Sequence, residues 1–251
     1  MKYNIIGDIH GRTNWKQLVD ADAVNVFLGD YFDPHDKISV DKLTDNFLDI
    51  IDYKKSHPDN VVLLYGNHDF HYIFPEYGGT TSRYDKCNAE HFKEMFDEYK
   101  DLFYGIAYCP VNSTGDKSDY IITHAGITDA WFYRYCDTDD FPGRYTDGRK
   151  IPQPGWVERF INNLWNTTTD GREFSFRYNC DWFDTYGTTP TQSPIWIRPE
   201  ALDKNNLYKN SGVIQIVGHT QMYKVQDASR VIGLVFADCL GQATESYKFE
   251  I

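Results

Sequence analysis

Tyr3-Asn4-Ile5-Ile6-Gly7-Asp8-Ile9-His10-Gly11-Arg12 decides how the chain is read. A short β-branched and aromatic run marks a largely buried strand, and a glycine then releases the backbone into Asp-x-His. The pattern recurs along the chain. Val24 to Leu28 runs into Gly29-Asp30-Tyr31-Phe32-Asp33, and Val61 to Tyr65 into Gly66-Asn67-His68-Asp69. Tyr120 to Thr123 is followed by His124-Ala125-Gly126, and Val213 to Val217 by Gly218-His219-Thr220. Val231 to Ala237 is a further apolar run. Strands that end in Asp, Asn or His deliver those side chains to the crevice at the C-terminal edge of an open α/β sheet, where ligands bind.

Between the second and third strands, Leu43, Phe47, Ile50 and Ile51 follow helical spacing and predict an amphipathic helix over residues 40 to 56. Strand, helix and strand in alternation make the N-terminal third α/β. Phe92, Met95, Phe96, Tyr99, Leu102 and Phe103 share one face of a second helix, with Asn88 placed to cap it. From 129 to 194 the pattern loosens into Tyr, Asp, Arg, Gly and Thr, with one helix expected near Trp156 to Trp165. This stretch reads as a lid inserted into a single domain spanning 1–251. No repeat or low-complexity segment interrupts it.

Composition narrows the chemistry. The 251 residues are 41% hydrophobic and 25% charged, which excludes disordered and fibrous classes. A net charge of -12 repels a nucleic-acid polymer, so phosphate chemistry here needs a local positive centre. No apolar run suits a membrane span and no secretory segment opens the chain, so a soluble cytoplasmic protein is expected. Five scattered cysteines without a C-x-x-C pair fit reduced thiols in that compartment, and the glycosylation-like triplets at Asn112 and Asn166 read as chance.

Asp8 and His10, two apart on an extended segment, would point to one side and reach one ion. Oxygen and nitrogen ligands without thiolate suit manganese, iron, zinc, cobalt or nickel, and a bridging carboxylate would hold two ions about 3.5–4 Å apart. Two such cations would attract phosphate to an acidic protein.

In this order, D-x-H, G-D-x-x-D, G-N-H-[DE], H-[AG]-G and G-H-T resemble the calcineurin-like metallophosphoesterases, and within them the serine/threonine phosphoprotein-phosphatase branch of bacterial or phage type. The resemblance spans residues 7 to 220 and implies a four-layer α/β/β/α sandwich with an inserted lid. It implies two divalent metal ions, manganese foremost, with Asp8 and His10 on the first, Asp30 bridging, and Asn67, His124 and His219 on the second. His68 would be the general acid, oriented by Asp33. Arg198, in a tryptophan-containing strand at Trp196-Ile197-Arg198, would grip phosphate. The implied reaction is hydrolysis of a phosphomonoester by a metal-bridging water, the substrate a phosphoprotein or small phosphate ester.

Departures are visible too. Pro34 and His35 follow Asp33 where protein phosphatases carry Arg-Gly, Asp69 stands for their Glu, and Tyr65 for an Arg. Arg12, Arg83, Arg134 or His35 could supply the grip on phosphate that the arginine after Asp33 would have given. Alternatives are a nucleotide hydrolase of the diadenosine-tetraphosphate type, a phosphodiesterase, or a noncatalytic binding protein on the same fold. His57, His71 and His91 match no block and read as solvated or locally bonded. Trp156, Trp165 and Trp182 read as packing under the lid more than as a base-stacking platform. The sequence does not fix the oligomeric state.

Overall fold

The computed structural model describes residues 1–79, 83–112, 114–138, 140–181 and 183–251, so Ser113 and Trp182 lie outside it. In the first sheet β1 (Lys2–Ile6), β2 (Val24–Phe27) and β3 (Val61–Leu63) run parallel, joined between β2 and β3 by α1 (Val40–Ser56). After α2 (Asn67–Ile73) and α3 (Ala89–Tyr99), the chain builds a second sheet from β4 (Ala107–Tyr108) and β5 (Tyr120–Thr123). Next come α4 (Asp129–Tyr135), a hairpin of β6 (Gly143–Thr146) and β7 (Arg149–Pro152), α5 (Pro154–Thr167) and α6 (Pro199–Asn205). The second sheet is completed by β8 (Ile214–Val217), β9 (Gln226–Ala228), α7 (Ser229–Ile232) and β10 (Leu234–Phe236), in the order β4-β5-β8-β10-β9. The last strand, β11 (Tyr247–Glu250), returns antiparallel to β1 and closes the first sheet as β11-β1-β2-β3.

Alternation along the strands makes the layers. Tyr3, Ile5, Val24, Val26 and Val62 face inward and meet Ile122, Ile216 and Val235 of the second sheet in one buried cluster. Their neighbours Ile6, Phe27 and Leu63 face the other way, onto Phe47 and Ile50 of α1 and Phe92 and Phe96 of α3. On the outer side of the second sheet, Val217, Leu234 and Phe236 pack with Ala201 and Leu202 of α6. Helix, sheet, sheet and helix are therefore four successive layers, as the period-2 pattern of buried strands requires. Each fully buried Leu, Ile or Phe contributes about 1.5–3 kcal/mol.

Several local expectations are refined. The run from Val231 splits, because Ser229–Ile232 coils into α7 and Gly233, at φ 70°, ends it before β10 begins. Asn88 does precede α3, yet its side chain donates to Asp85, whose carboxylate also accepts from the amides of Cys87 and Asn88. Trp196 lies in a turn leading into α6, not in a strand. Within 129–194, α5 is part of the packed body: Asn162 accepts from the amides of Ile106 and Ala107 and donates to the Ala107 carbonyl. No helix among the described residues is long and apolar enough to cross a membrane.

Candidate metal centre and active site

The residues expected at the site are brought together by the loops that leave β1, β2, β3, β5 and β8 on one edge of the sandwich. The β1 and β2 loops stay paired past their strands, with His10 N donating to Asp30 O at 2.6 Å and Gly11 N to Tyr31 O at 3.0 Å. His10, Asp30, Asp33 and His219 all adopt positive φ (46°, 55°, 56° and 64°). Such backbone is unfavourable for residues bearing a β-carbon and persists where the surroundings impose it. His10 thus reaches the cleft through a left-handed turn, not by the extended alternation expected from its spacing to Asp8. Two glycines allow the closest approaches: a β-carbon on Gly66 would overlap Asp30 Oδ1, and one on Gly218 would overlap Asp8 Oδ1.

Asp30 is the shared member of two clusters whose ligand atoms converge, His10 with Asp30 and His68, and Asp8 with Asp30 and His124. Its Oδ2 lies 3.5 Å from both His10 Nε2 and His124 Nε2. Asn67 Oδ1 is 2.9 Å from His124 Nε2 and 2.8 Å from His219 Nδ1. Asp8 Oδ1 is 3.8 Å from His124 Nδ1 and accepts from the His219 amide. All but His219, which is half-buried, are buried.

These donor sets fit divalent cations. His124 donates from Nδ1 to Leu28 O at 2.8 Å and His10 from Nδ1 to Phe32 O at 3.0 Å, which leaves a lone pair on each Nε2. Burial favours the neutral imidazole, pushing His124 down to about 3 and His10 well below the usual range, the latter helped by His68 and Arg83. Lone pairs of imidazole, amide and carboxylate therefore point at one another across about 3 Å, an arrangement that repels itself until a cation is placed between them. Burial, then neighbouring Asp238 and Asp30, raises the Asp8 carboxyl; burial, then Asp69, raises Asp30.

The profile of the calcineurin-like phosphoesterase family matches residues 1–223. The chain belongs to the calcineurin-like phosphoesterases. It is a metal-dependent hydrolase of phosphate esters. Solved structures that share the fold include two protein phosphatases. One is a cold-active protein-tyrosine phosphatase of a psychrophilic Shewanella, 17% identical at a TM-score of 0.51, the match covering 99% of this chain and 75% of that one. The other is a protein serine/threonine phosphatase from Saccharomyces cerevisiae, also 17% identical, at a TM-score of 0.50 and covering 100% and 80%.

Around the phosphoesterase's two candidate metal-binding clusters stand the remaining expected residues. His68 Nδ1 is 2.7 Å from Asp33 Oδ2, and Tyr72 donates its hydroxyl to the other oxygen of that carboxylate. Burial raises Asp33 to about 7, against the pull of the Tyr72 hydrogen bond. Arg198 sits at the start of α6, where the following Pro199 favours extended backbone (φ -89°, ψ 154°). Its guanidinium donates to Tyr186 O, His219 O and Thr220 Oγ1 at 3.1, 3.3 and 3.1 Å. His10, Asp30, Asn67, His68, His219 and Arg198 line one cleft of about 530 Å³.

Sequence reasoning gave two carboxylates no role, Asp69 although it lies in the third block and Asp238 altogether. Asp69 accepts from the amides of Asp30, Tyr31 and Gly66 at 2.8, 2.9 and 2.8 Å, tying the β2 loop to the β3 loop. Asp238, at the end of β10, lines the same cleft; burial holds its carboxyl up at about 6. Its signal was available, since Val231 to Ala237 is another apolar run ending in Asp. The three discounted histidines lie elsewhere: His57 hydrogen-bonds Tyr53 O and His91 hydrogen-bonds Thr44, while His71 is buried against Trp196.

Proposed function

We propose that this phosphoesterase hydrolyses phosphomonoesters, including phosphorylated serine or threonine in proteins, at a site holding two divalent cations, manganese foremost, with iron, zinc, nickel or cobalt as alternatives. The observation that carries the reading is the His68–Asp33 pair beside the Asp30-centred clusters. An aliphatic alkoxide is a poor leaving group that needs a proton, whereas a phosphoanhydride leaves without one, so an aligned general acid favours an alcohol ester over a dinucleotide polyphosphate. That two solved structures sharing the fold are protein phosphatases supports a phosphoprotein substrate.

Asp8, His10, Asp30, Asn67, His124 and His219 would hold the cations, which when bound supply an activated water and neutralise phosphate charge. Arg198 would bind the phosphoryl oxygens. Asp33 would keep His68 in the tautomer protonated at Nδ1 and stabilise its cationic form, and His68 would pass a proton from Nε2 to the departing oxygen. The turn-rich stretch from 168 to 194, more than α5, would act as the lid over the single domain, since Phe176, Thr185 and Tyr186 line the cleft. That no disulfide joins the described cysteines supports a cytoplasmic location.

The test compares manganese-loaded protein on para-nitrophenyl phosphate and bis-para-nitrophenyl phosphate, with a chelated control. Chelator-sensitive monoester turnover that exceeds diester turnover is expected, followed by activity on phosphopeptides. Preference for the diester would transfer the chain to the phosphodiesterase or nucleotide class, and inactivity with all five metals to a binding protein.

A further inference from the structure

Pro34 stands where an arginine would grip phosphate, and the four side chains that could take over that role differ in position. Arg12 lines a different cavity, with Thr13 and Asn14, and donates to the Asp8 carbonyl at 3.3 Å. Arg134 is exposed on α4 beside Tyr135. His35 lines the cleft from its exposed rim, with its ring edge-to-face to His10 at 5.2 Å, but burial and the nearby Arg83 push its imidazole below the usual range, so it offers no fixed positive charge. Arg83 lines the cleft itself, on the segment after α2, with Arg198 lining it from the start of α6.

The hydrogen bonding of Arg83 is unlike that of a structural arginine. It has no salt-bridge partner among the described residues, although Asp30 and Asp33 are near enough for their charges to act on it. Nη2 meets His68 Nε2 at 3.2 Å, and because a guanidinium can only donate, the imidazole nitrogen accepts. Nη1 is buried with no hydrogen-bond partner among the described residues. A buried guanidinium nitrogen left unpaired beside the proposed acid costs free energy that an arriving anion would recover.

We infer that Arg83 is the second phosphate-binding arginine of this chain, supplied from a different segment in place of the one missing at position 34, and that with Arg198 it selects dianionic phosphomonoesters. This rests on the monoesterase reading. Arg83 donates from Nη1 to a nonbridging oxygen and Nη2 follows, which frees the lone pair on His68 Nε2 to take a proton from solvent and pass it to the leaving oxygen. A monoester offers three nonbridging oxygens and two charges to such a clamp, and a diester two oxygens and one charge.

The experiment measures inorganic phosphate affinity by calorimetry, KM for both nitrophenyl esters and metal content in manganese-loaded wild type, Arg83→Gln and Arg83→Lys. At unchanged metal content, Arg83→Gln should weaken phosphate binding and raise the monoester KM by about ten-fold or more, as expected for a charge-assisted hydrogen bond. The diester KM should move much less, and Arg83→Lys should recover part of the affinity. Unchanged phosphate affinity in Arg83→Gln, an equal effect on both esters, or metal loss in both variants would overturn the clamp while leaving wild-type monoester turnover, and so the monoesterase reading, untouched. Wild type that binds phosphate through Arg83 yet turns over no monoester would instead overturn the reading and leave the arginine's role standing.

Discussion

Asp33 Oδ2 lies 2.7 Å from His68 Nδ1 while its other oxygen accepts from Tyr72, so one buried carboxylate fixes the ring of His68 and is itself fixed. The Tyr72 hydroxyl in turn accepts from the Asp85 amide at 3.1 Å, which anchors this chain of hydrogen bonds to backbone.

His68→Asn should keep its metal and lose about 10²- to 10⁴-fold in kcat, the usual size for general acid catalysis. Asp33→Asn should cost nearly as much, and the double variant little more than either, because both remove one function. Tyr72→Phe should cost about ten-fold, as the support of an orienting group. Single-turnover rates with metal analysis check this, and metal loss in His68→Asn would make that residue a ligand.

How much of this was legible follows from where the information sits. Asp8, Asp30, Asn67, His124 and His219 each close or follow an apolar run, so a local pattern announces them. Asp69 and Arg83 act through partners 38 and 15 residues away, which no local period encodes. The pairing of β11 with β1 is longer-range still, although the alternation of Tyr247 and Phe249 marks a half-buried strand. Helix α7 was hidden because its β-branched residues Val231 and Ile232 read as strand until Gly233 turns the chain.

Asp30→Asn should strip metal, since Asp30 is common to both clusters. Removing one charge from a residue shared by two cations lowers affinity at both, and fewer than one equivalent should survive gel filtration. A fully metallated, active variant would remove Asp30 from the bridging position.

Chelation should make stability pH-dependent. Burial holds Asp238 up at about 6, and Asp8 and Asp30 are raised as well, so between the unfolded value of about 3.9 and these folded values the native state keeps protons that the unfolded state has released. Stability of the chelated protein therefore falls as pH rises from about 4 through 6 and beyond. Cations replace those protons, so the Tm gap between loaded and chelated protein should widen from pH 5 to pH 8, by calorimetric scanning. A gap independent of pH would contradict this.

Asp184 should govern the cleft without touching it. Its Oδ1 accepts from the amides of Tyr186, Gly187 and Thr188 and its Oδ2 from that of Thr189. Tyr186 O and Gly187 O, in the same turn, accept from the side chain and amide of Arg198 at 3.1 and 2.9 Å. Burial works to raise the Asp184 carboxyl, but the hydrogen bonds from Thr189, Thr188 and Tyr186 outweigh it and hold the group below the ordinary range. A lowered folded value means that its stabilisation is complete above about pH 4 and fades as pH falls through the lowered value. Asp184→Asn keeps the shape but weakens the acceptor, so the Tm advantage of wild type should be constant above pH 5 and shrink toward pH 3. At neutral pH the variant should raise the monoester KM about three- to ten-fold, the size of one weakened hydrogen bond passed on to Arg198, with metal content unchanged. The same variant made in an Arg198→Ala background should leave KM where Arg198→Ala alone puts it, because the turn then no longer has that side chain to hold. An additive effect in that pair would show that the turn meets substrate directly.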